Sequence, residues 1–130
     1  MSRVLIIEDE TAYQKVLKDT FEKGQFEVAL ASDIKQGIAE IAKVKPDIIL
    51  LDIILPGGVN GFDFLEQIKA DKNTRDIPVI VITNLASEEK VAKDIGASYY
   101  FTKSDTKIEQ IMDKVKQILS NESGVKGGEL

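Results

Sequence analysis

Five short runs of apolar residues, rich in Val and Ile, recur along this chain with segments of helical pattern between them. The runs are Val4 to Ile7, Val28 to Ala31, Ile48 to Ile53, Val79 to Ile82 and Tyr99 to Thr102. Because strands that alternate with helices are joined by crossover connections, this order predicts an α/β fold with a parallel sheet. The first, third and fourth runs are nearly continuous in apolar residues, which predicts central strands covered on both faces, with the other two at the edges.

The segments between the runs have the apolar spacing and end signals of five helices, which completes a (βα)5 chain. The first is expected to stop at Gly24 in a left-handed cap, the second to begin near Asp33 and end before Pro46, the third to follow Gly61, the fourth to run from Ser87 to Gly96, and the fifth from about Asp105 to Leu119. The segment 121–130 is rich in glycine and has no apolar period, so it is predicted to be a flexible C-terminal tail after one domain over residues 1–120.

Composition narrows the possible chemistry. The net charge of -5 disfavours a surface that binds nucleic acid directly, since such surfaces need clustered Lys and Arg. No stretch is apolar enough for a membrane span and the N-terminus is unlike a signal peptide, so we expect a cytoplasmic protein. The chain has neither Cys nor His, so its chemistry is expected to depend on carboxylates, hydroxyls and lysines.

In an open doubly wound sheet, ligands bind beyond the carboxyl ends of the strands. Four polar side chains lie at these ends of the predicted strands. They are Asp9 after strand one, Asp52 after strand three, Thr83 at the end of strand four and Lys103 after strand five. Each alone has an ordinary explanation as a helix-end, turn, strand or solvated residue. Their convergence on one sheet edge favours a site, and clustered carboxylates are expected to repel one another unless a cation binds between them.

Magnesium fits this set, because Mg²⁺ takes oxygen ligands and typically binds one or two carboxylates together with waters and phosphate oxygens. Asp9 and Asp52 would supply the carboxylates, and Asp52 would be the nucleophile in phosphoryl transfer. Lys103 and Thr83 would neutralise charge on the equatorial phosphoryl oxygens.

At these residues the sequence resembles the response-regulator receiver domains of two-component signalling, over about residues 3 to 120. The resemblance is carried by Glu8-Asp9, Asp52 at the end of the strand Pro46-Asp47-Ile48-Ile49-Leu50-Leu51, Pro56, Gly61, Thr83, the Gly96-Ala97 turn, Tyr100 and Lys103. It implies a flavodoxin-like three-layer sandwich with strand order 2-1-3-4-5, and a switch rather than an enzyme. A phosphohistidine of a histidine kinase or phosphotransfer protein would phosphorylate Asp52. Glu8, Asp9, Asp52 and the backbone carbonyl of Ile54 would hold Mg²⁺, with Thr83 and Lys103 on the phosphoryl oxygens and Tyr100 as the aromatic switch.

By the same analogy, a downstream protein would bind helix four, strand five and helix five of a monomer or weak dimer. Four features depart from the family pattern: a loop from Pro56 to Gly61 that is one residue longer, Asn84 where a small residue is common, Ser104 where a Pro often follows the lysine, and a short fourth helix. A phosphorylation-independent receiver-like module remains an alternative, although the intact acidic and lysine positions disfavour it. A small aspartyl phosphatase is a weaker one, because Ile54 stands where such enzymes place a second Asp.

Overall fold

The computed structural model describes residues 1–56 and 60–128, with side chains as far as Asn121. Strands and helices alternate, as predicted. The strands are β1 (Arg3–Ile7), β2 (Glu27–Ala31), β3 (Ile48–Leu51), β4 (Val79–Thr83) and β5 (Tyr99–Thr102). The helices are α1 (Thr11–Lys23), α2 (Ile34–Val44), α3 (Gly61–Ala70), α4 (Glu89–Ile95) and α5 (Ile108–Gly128), with single 3-10 turns at Ala86–Glu88 and Lys103–Asp105.

The five strands form one parallel sheet in the order β2-β1-β3-β4-β5, which confirms the predicted fold and the assignment of central and edge strands. Successive side chains of a strand point to opposite faces, so the sheet has two apolar layers. One face packs on α2, α3 and α4 and the other on α1 and α5, through the buried residues Leu5, Ile49, Val81, Phe64 and Leu65 on the first and Ile6, Leu50, Ile82, Leu17 and Ile111 on the second.

Burial on both faces fixes the register of the central strands, because a slip of one residue would exchange the two layers. Each fully buried Leu or Ile contributes about 1.5–3 kcal/mol relative to an exposed one. The carboxyl ends of β1, β3 and β4 therefore lie side by side where these deeply buried central strands end. That rigid edge is where the predicted site residues lie.

The prediction of a left-handed cap at Gly24 is wrong. Gly24 has φ -81° and the left-handed residue is Gln25, with φ 70°. A Cβ at Gly24 would lie 2.7 Å from the sulfur of Met112, so the glycine allows α5 to pack closely against the end of α1. Sequence spacing alone does not separate these two reasons for a glycine at a helix end.

Three elements also differ from their predicted bounds by two residues or more. β3 ends at Leu51 instead of Ile53, because the Asp52 side chain accepts the Ile54 N–H and turns the chain. α4 begins at Glu89 after a 3-10 turn instead of at Ser87, so the expectation of a short helix holds. α5 begins at Ile108 and continues to Gly128, because glycine weakens a helix without ending it as proline does.

The backbone of the predicted tail is thus helical through Gly128, and its flexibility stays a prediction. The lengthened loop after Pro56 falls largely on residues 57–59, outside the described residues. Within the described part of the chain, no helix is both long and apolar enough to cross a bilayer.

Candidate functional site

The site is built on Asp52, which follows β3 between the ends of β1 and β4. Its backbone N–H donates to the Ile7 carbonyl at 3.0 Å, which extends the β1–β3 pairing by one residue. Its side chain is 6% exposed, with Oδ1 accepting from the Ile54 N–H at 2.9 Å and Oδ2 accepting from Lys103 Nζ at 2.9 Å. A carboxylate held by two donors of this kind is fixed in orientation at the edge of the sheet.

Lys103 joins the two buried carboxylates of the site. From the end of β5, its Nζ lies 2.7 Å from Glu8 Oε1 as well as 2.9 Å from Asp52 Oδ2, and 3.5 Å from the exposed Glu10. Burial by itself lowers the pKa of Lys103, but the hydrogen bonds to Glu8 and Asp52 outweigh it and hold that pKa above its usual range. The ammonium is therefore charged at neutral pH.

Glu8 is the most buried acid of the site, with 2% exposure. Its Oε2 accepts from the Glu10 N–H at 2.9 Å, and its backbone N–H donates to Ala31 at the end of β2. Burial raises the pKa of Glu8, and the hydrogen bonds from Lys103 and Glu10 offset only part of that rise. An additional cation at the site would favour the ionised form of Glu8.

Glu8, Asp9 and Asp52 form an acidic cluster in which one carboxylate oxygen of each lies within 4.8 Å of the others. Glu8 and Asp52 are buried and Asp9 is exposed, so the cluster opens to solvent on one side. These oxygen donors match the preference of Mg²⁺, which also retains water ligands that an open side admits. The residues present fit the predicted metal site.

Thr83 and Tyr100 complete the set of predicted side chains. Thr83 at the end of β4 is fully buried, and its hydroxyl has no hydrogen-bond partner among the described residues. Tyr100 on β5 is 6% exposed, and its hydroxyl donates to the Leu85 carbonyl in the loop after β4. The ring thus lies inward although β5 is an edge strand. Asn84, between Thr83 and that loop, points to solvent.

Two residues near Lys103 were given no role in the sequence analysis. Glu10 lies 3.5 Å from the ammonium, and the ring centroid of Tyr13 lies 4.7 Å from it. Glu10 continues the acidic run after β1, and Tyr13 occupies the first turn of α1, directly above the same edge. The position of both residues just after β1 was the only signal in the sequence, and the spacing does not show that both would reach a lysine that follows β5.

The family model described as the response regulator receiver domain matches residues 4–116. Protein PilH of Pseudomonas aeruginosa is 38% identical over 105 residues, which are 79% of this chain and 86% of that protein. The phosphate regulon transcriptional regulatory protein PhoB of Escherichia coli is 35% identical over 103 residues, and the chain spans only 44% of its length.

Solved structures show the same fold. A CheY-like response regulator receiver domain protein from Methanospirillum hungatei superposes with a TM-score of 0.84 at 30% identity, covering 95% of this chain and 97% of that one. A two-component response regulator from Clostridium difficile gives a TM-score of 0.85 at 26% identity, covering 94% and 98%. Accepting a phosphoryl group is general for this family, whose members are signalling switches. With a matching family model over most of its length and the acidic edge in place, the chain belongs to the response regulator receiver domains of two-component systems.

Proposed function

We propose that Asp52 accepts a phosphoryl group from the phosphohistidine of a histidine kinase or histidine phosphotransfer protein. The observation that carries this proposal is the Asp52 carboxylate, buried at the end of the central strand and held by Lys103 inside the acidic cluster. A carboxylate oxygen forms a bond to phosphorus while the phosphorus–nitrogen bond breaks and its electron pair returns to the imidazole. The product is an aspartyl phosphate.

Glu8, Asp9 and Asp52 would hold Mg²⁺ through their carboxylates, together with the backbone carbonyl of Ile54. The support is the 4.8 Å spread of the three carboxylates and their oxygen chemistry. When bound, Mg²⁺ neutralises charge on the phosphoryl oxygens and so lowers the barrier to transfer. The described residues supply the remaining positive charge through Lys103, which already contacts Asp52.

Thr83 and Lys103 would hold the other phosphoryl oxygens. The buried Thr83 hydroxyl lacks a partner, and such a group costs about 1–3 kcal/mol, which a phosphoryl oxygen would recover by accepting its hydrogen bond. Movement of Thr83 toward the phosphoryl group would open space beside Tyr100, which belongs to the same apolar cluster as β4. Tyr100 is thereby the switch that we propose between Asp52 and the surface.

The output surface that we propose comprises α4, β5 and α5. Tyr100 connects it to the site, because its hydroxyl bonds the Leu85 carbonyl at the start of the segment leading into α4. A change at Thr83 that breaks this bond would shift the loop and α4 together. A downstream protein would bind this surface. The protein would be a cytoplasmic monomer or weak dimer, and it would act as a switch rather than as an enzyme.

Intact-mass spectrometry after incubation with acetyl phosphate and Mg²⁺ tests the acceptor. The parent protein is expected to gain the mass of one phosphoryl group, and to lose that gain in EDTA. Asp52→Asn should gain none, because an amide is a poor nucleophile. Asp47→Asn is the matched control, since Asp47 precedes the same strand at the opposite edge of the sheet and is exposed. Full uptake by Asp52→Asn would overturn the proposal.

A further inference from the structure

Tyr13 has contacts in the site that the proposed function does not use. It is the third residue of α1, and its ring faces the ammonium of Lys103 with 4.7 Å between Nζ and the ring centroid. Its hydroxyl is buried and has no hydrogen-bond partner among the described residues. Tyr13 therefore interacts with the charged group of Lys103 through its ring, while its hydroxyl forms no hydrogen bond with the described residues.

The electrostatic surroundings keep this ring neutral. Burial, together with the carboxylates of Glu8, Asp52 and Glu10, raises the pKa of Tyr13 to about 12, although Lys103 acts in the opposite direction. A neutral aromatic face attracts an ammonium through its quadrupole, and the attraction is strongest when the pair is shielded from water. The side chain of Lys103 is only 10% exposed, so this contact belongs to the shielded class.

The two shortest contacts of Lys103 are with carboxylates that the proposed chemistry changes, whereas its third contact, at 3.5 Å, is with the exposed Glu10. Glu8 and Asp52 hold the ammonium at 2.7 and 2.9 Å. A bound metal ion would share both carboxylates, and phosphorylation would convert the Asp52 carboxylate into an acyl phosphate. The charge on each would then be partly neutralised, which weakens its hold on the lysine. The ring of Tyr13 is altered by neither event.

We propose that Tyr13 is a positioning residue, whose ring keeps the Lys103 ammonium directed at the phosphoryl group as its carboxylate partners are taken up. This inference rests on the proposed function of Asp52 and adds a residue on α1 to its site. The ring acts through Lys103 and does not touch the reacting atoms. The role needs the aromatic face and not the hydroxyl.

The test compares Tyr13→Leu with the conservative Tyr13→Phe in the initial rate of phosphorylation by acetyl phosphate at saturating Mg²⁺. Tyr13→Leu should be about fivefold slower, the size expected for one shielded cation–π contact. Tyr13→Phe should restore the rate, because it keeps the ring. Phe26→Leu controls for a general loss of packing. Phe26 belongs to the apolar cluster between the sheet and α1, and it precedes β2, at the end of the strands that lies opposite the site.

The Lys103 side chain gives a second readout that does not depend on phosphorylation. The ring current of the aromatic side chain at position 13 should shift the ε-methylene protons of Lys103 upfield in the parent and in Tyr13→Phe. This shift should vanish in Tyr13→Leu. The Kd for Mg²⁺ should not rise in Tyr13→Leu, whereas a distorted acidic cluster would weaken metal binding.

The outcomes separate the two proposals. A parent protein that is phosphorylated, together with a Tyr13→Leu variant that is equally fast or has an unchanged Lys103 shift, would overturn the role of Tyr13 alone. Loss of rate in Tyr13→Phe equal to that in Tyr13→Leu would also overturn it, since the hydroxyl would then be the working group. A parent that takes up no phosphoryl group would overturn both.

Discussion

At the scale of single residues, the structure changes the expected electrostatics of the acidic edge. The sequence predicts that carboxylates at the ends of β1 and β3 repel one another unless a cation lies between them. In the structure the Lys103 ammonium occupies that position for Glu8 and Asp52. The sequence predicted that Lys103 would contact the phosphoryl oxygens. Its contact with Glu8 and Asp52 was not predicted, because spacing along the chain does not show how far a lysine side chain reaches.

Ile54 and Leu85 lie on either side of the site, two residues beyond Asp52 and two beyond Thr83, and are 50% and 38% exposed. Neither side chain can orient a water molecule for attack on an aspartyl phosphate, so we expect slow self-dephosphorylation. Ile54→Asn should speed loss of the phosphoryl group about fivefold, the effect of one hydrogen bond of about 1 kcal/mol in the transition state. The decay of the phosphorylated mass after removal of the donor measures this rate.

Val91→Asn is the control for this prediction, because Val91 is a similarly exposed apolar residue on α4. Its decay rate should match that of the parent. A decay rate of Ile54→Asn equal to that of Val91→Asn would contradict the argument from water positioning.

At the scale of elements, the alternation of strands and helices, the central position of β1, β3 and β4 and the polar strand ends were all predictable, because each depends on local apolar pattern. The boundaries were less so. β3 stops early because Asp52 turns the chain with its own side chain, and Gly24 serves the packing of Met112. Both causes are tertiary contacts that a single sequence does not reveal.

We propose that the folded domain ends near Ser120, although α5 continues to Gly128. The buried residues of α5 are Ile111 and Val115, and Ile118 and Leu119 pack at the edge of the same core. A chain that stops after Ser120 should change the unfolding free energy by less than about 0.5 kcal/mol, since no described core residue is removed. Urea denaturation measures this change.

A chain that stops after Asp113 is the comparison for that truncation, because it lacks Val115 and the two residues at the edge of the core. Its unfolding free energy should fall by at least about 2 kcal/mol. Equal destabilisation by both truncations would place the domain boundary beyond Ser120.

At the scale of the whole molecule, metal binding should be visible as stability. A ligand that binds only the folded state adds RT ln(1 + [L]/Kd), which is about 1.4 kcal/mol at ten times Kd and raises the melting temperature by about 4 °C. Asp52→Asn removes one carboxylate, so its Mg²⁺-dependent shift should be smaller. An equal response of parent and variant, or a response that NaCl of the same ionic strength reproduces, would contradict a metal site at Glu8, Asp9 and Asp52.

The central claim is that phosphorylation at Asp52 changes a distant surface. The most direct test follows backbone amide chemical shifts by NMR before and after addition of acetyl phosphate and Mg²⁺, with Asp52→Asn as control. The parent is expected to shift throughout residues 84–110, because Tyr100 links Thr83 and Leu85 to α4 and β5. Asp52→Asn should show only the shifts that Mg²⁺ causes. Shifts confined to the loops around Asp52, with residues 84–110 unchanged in the phosphorylated parent, would contradict the proposed switch.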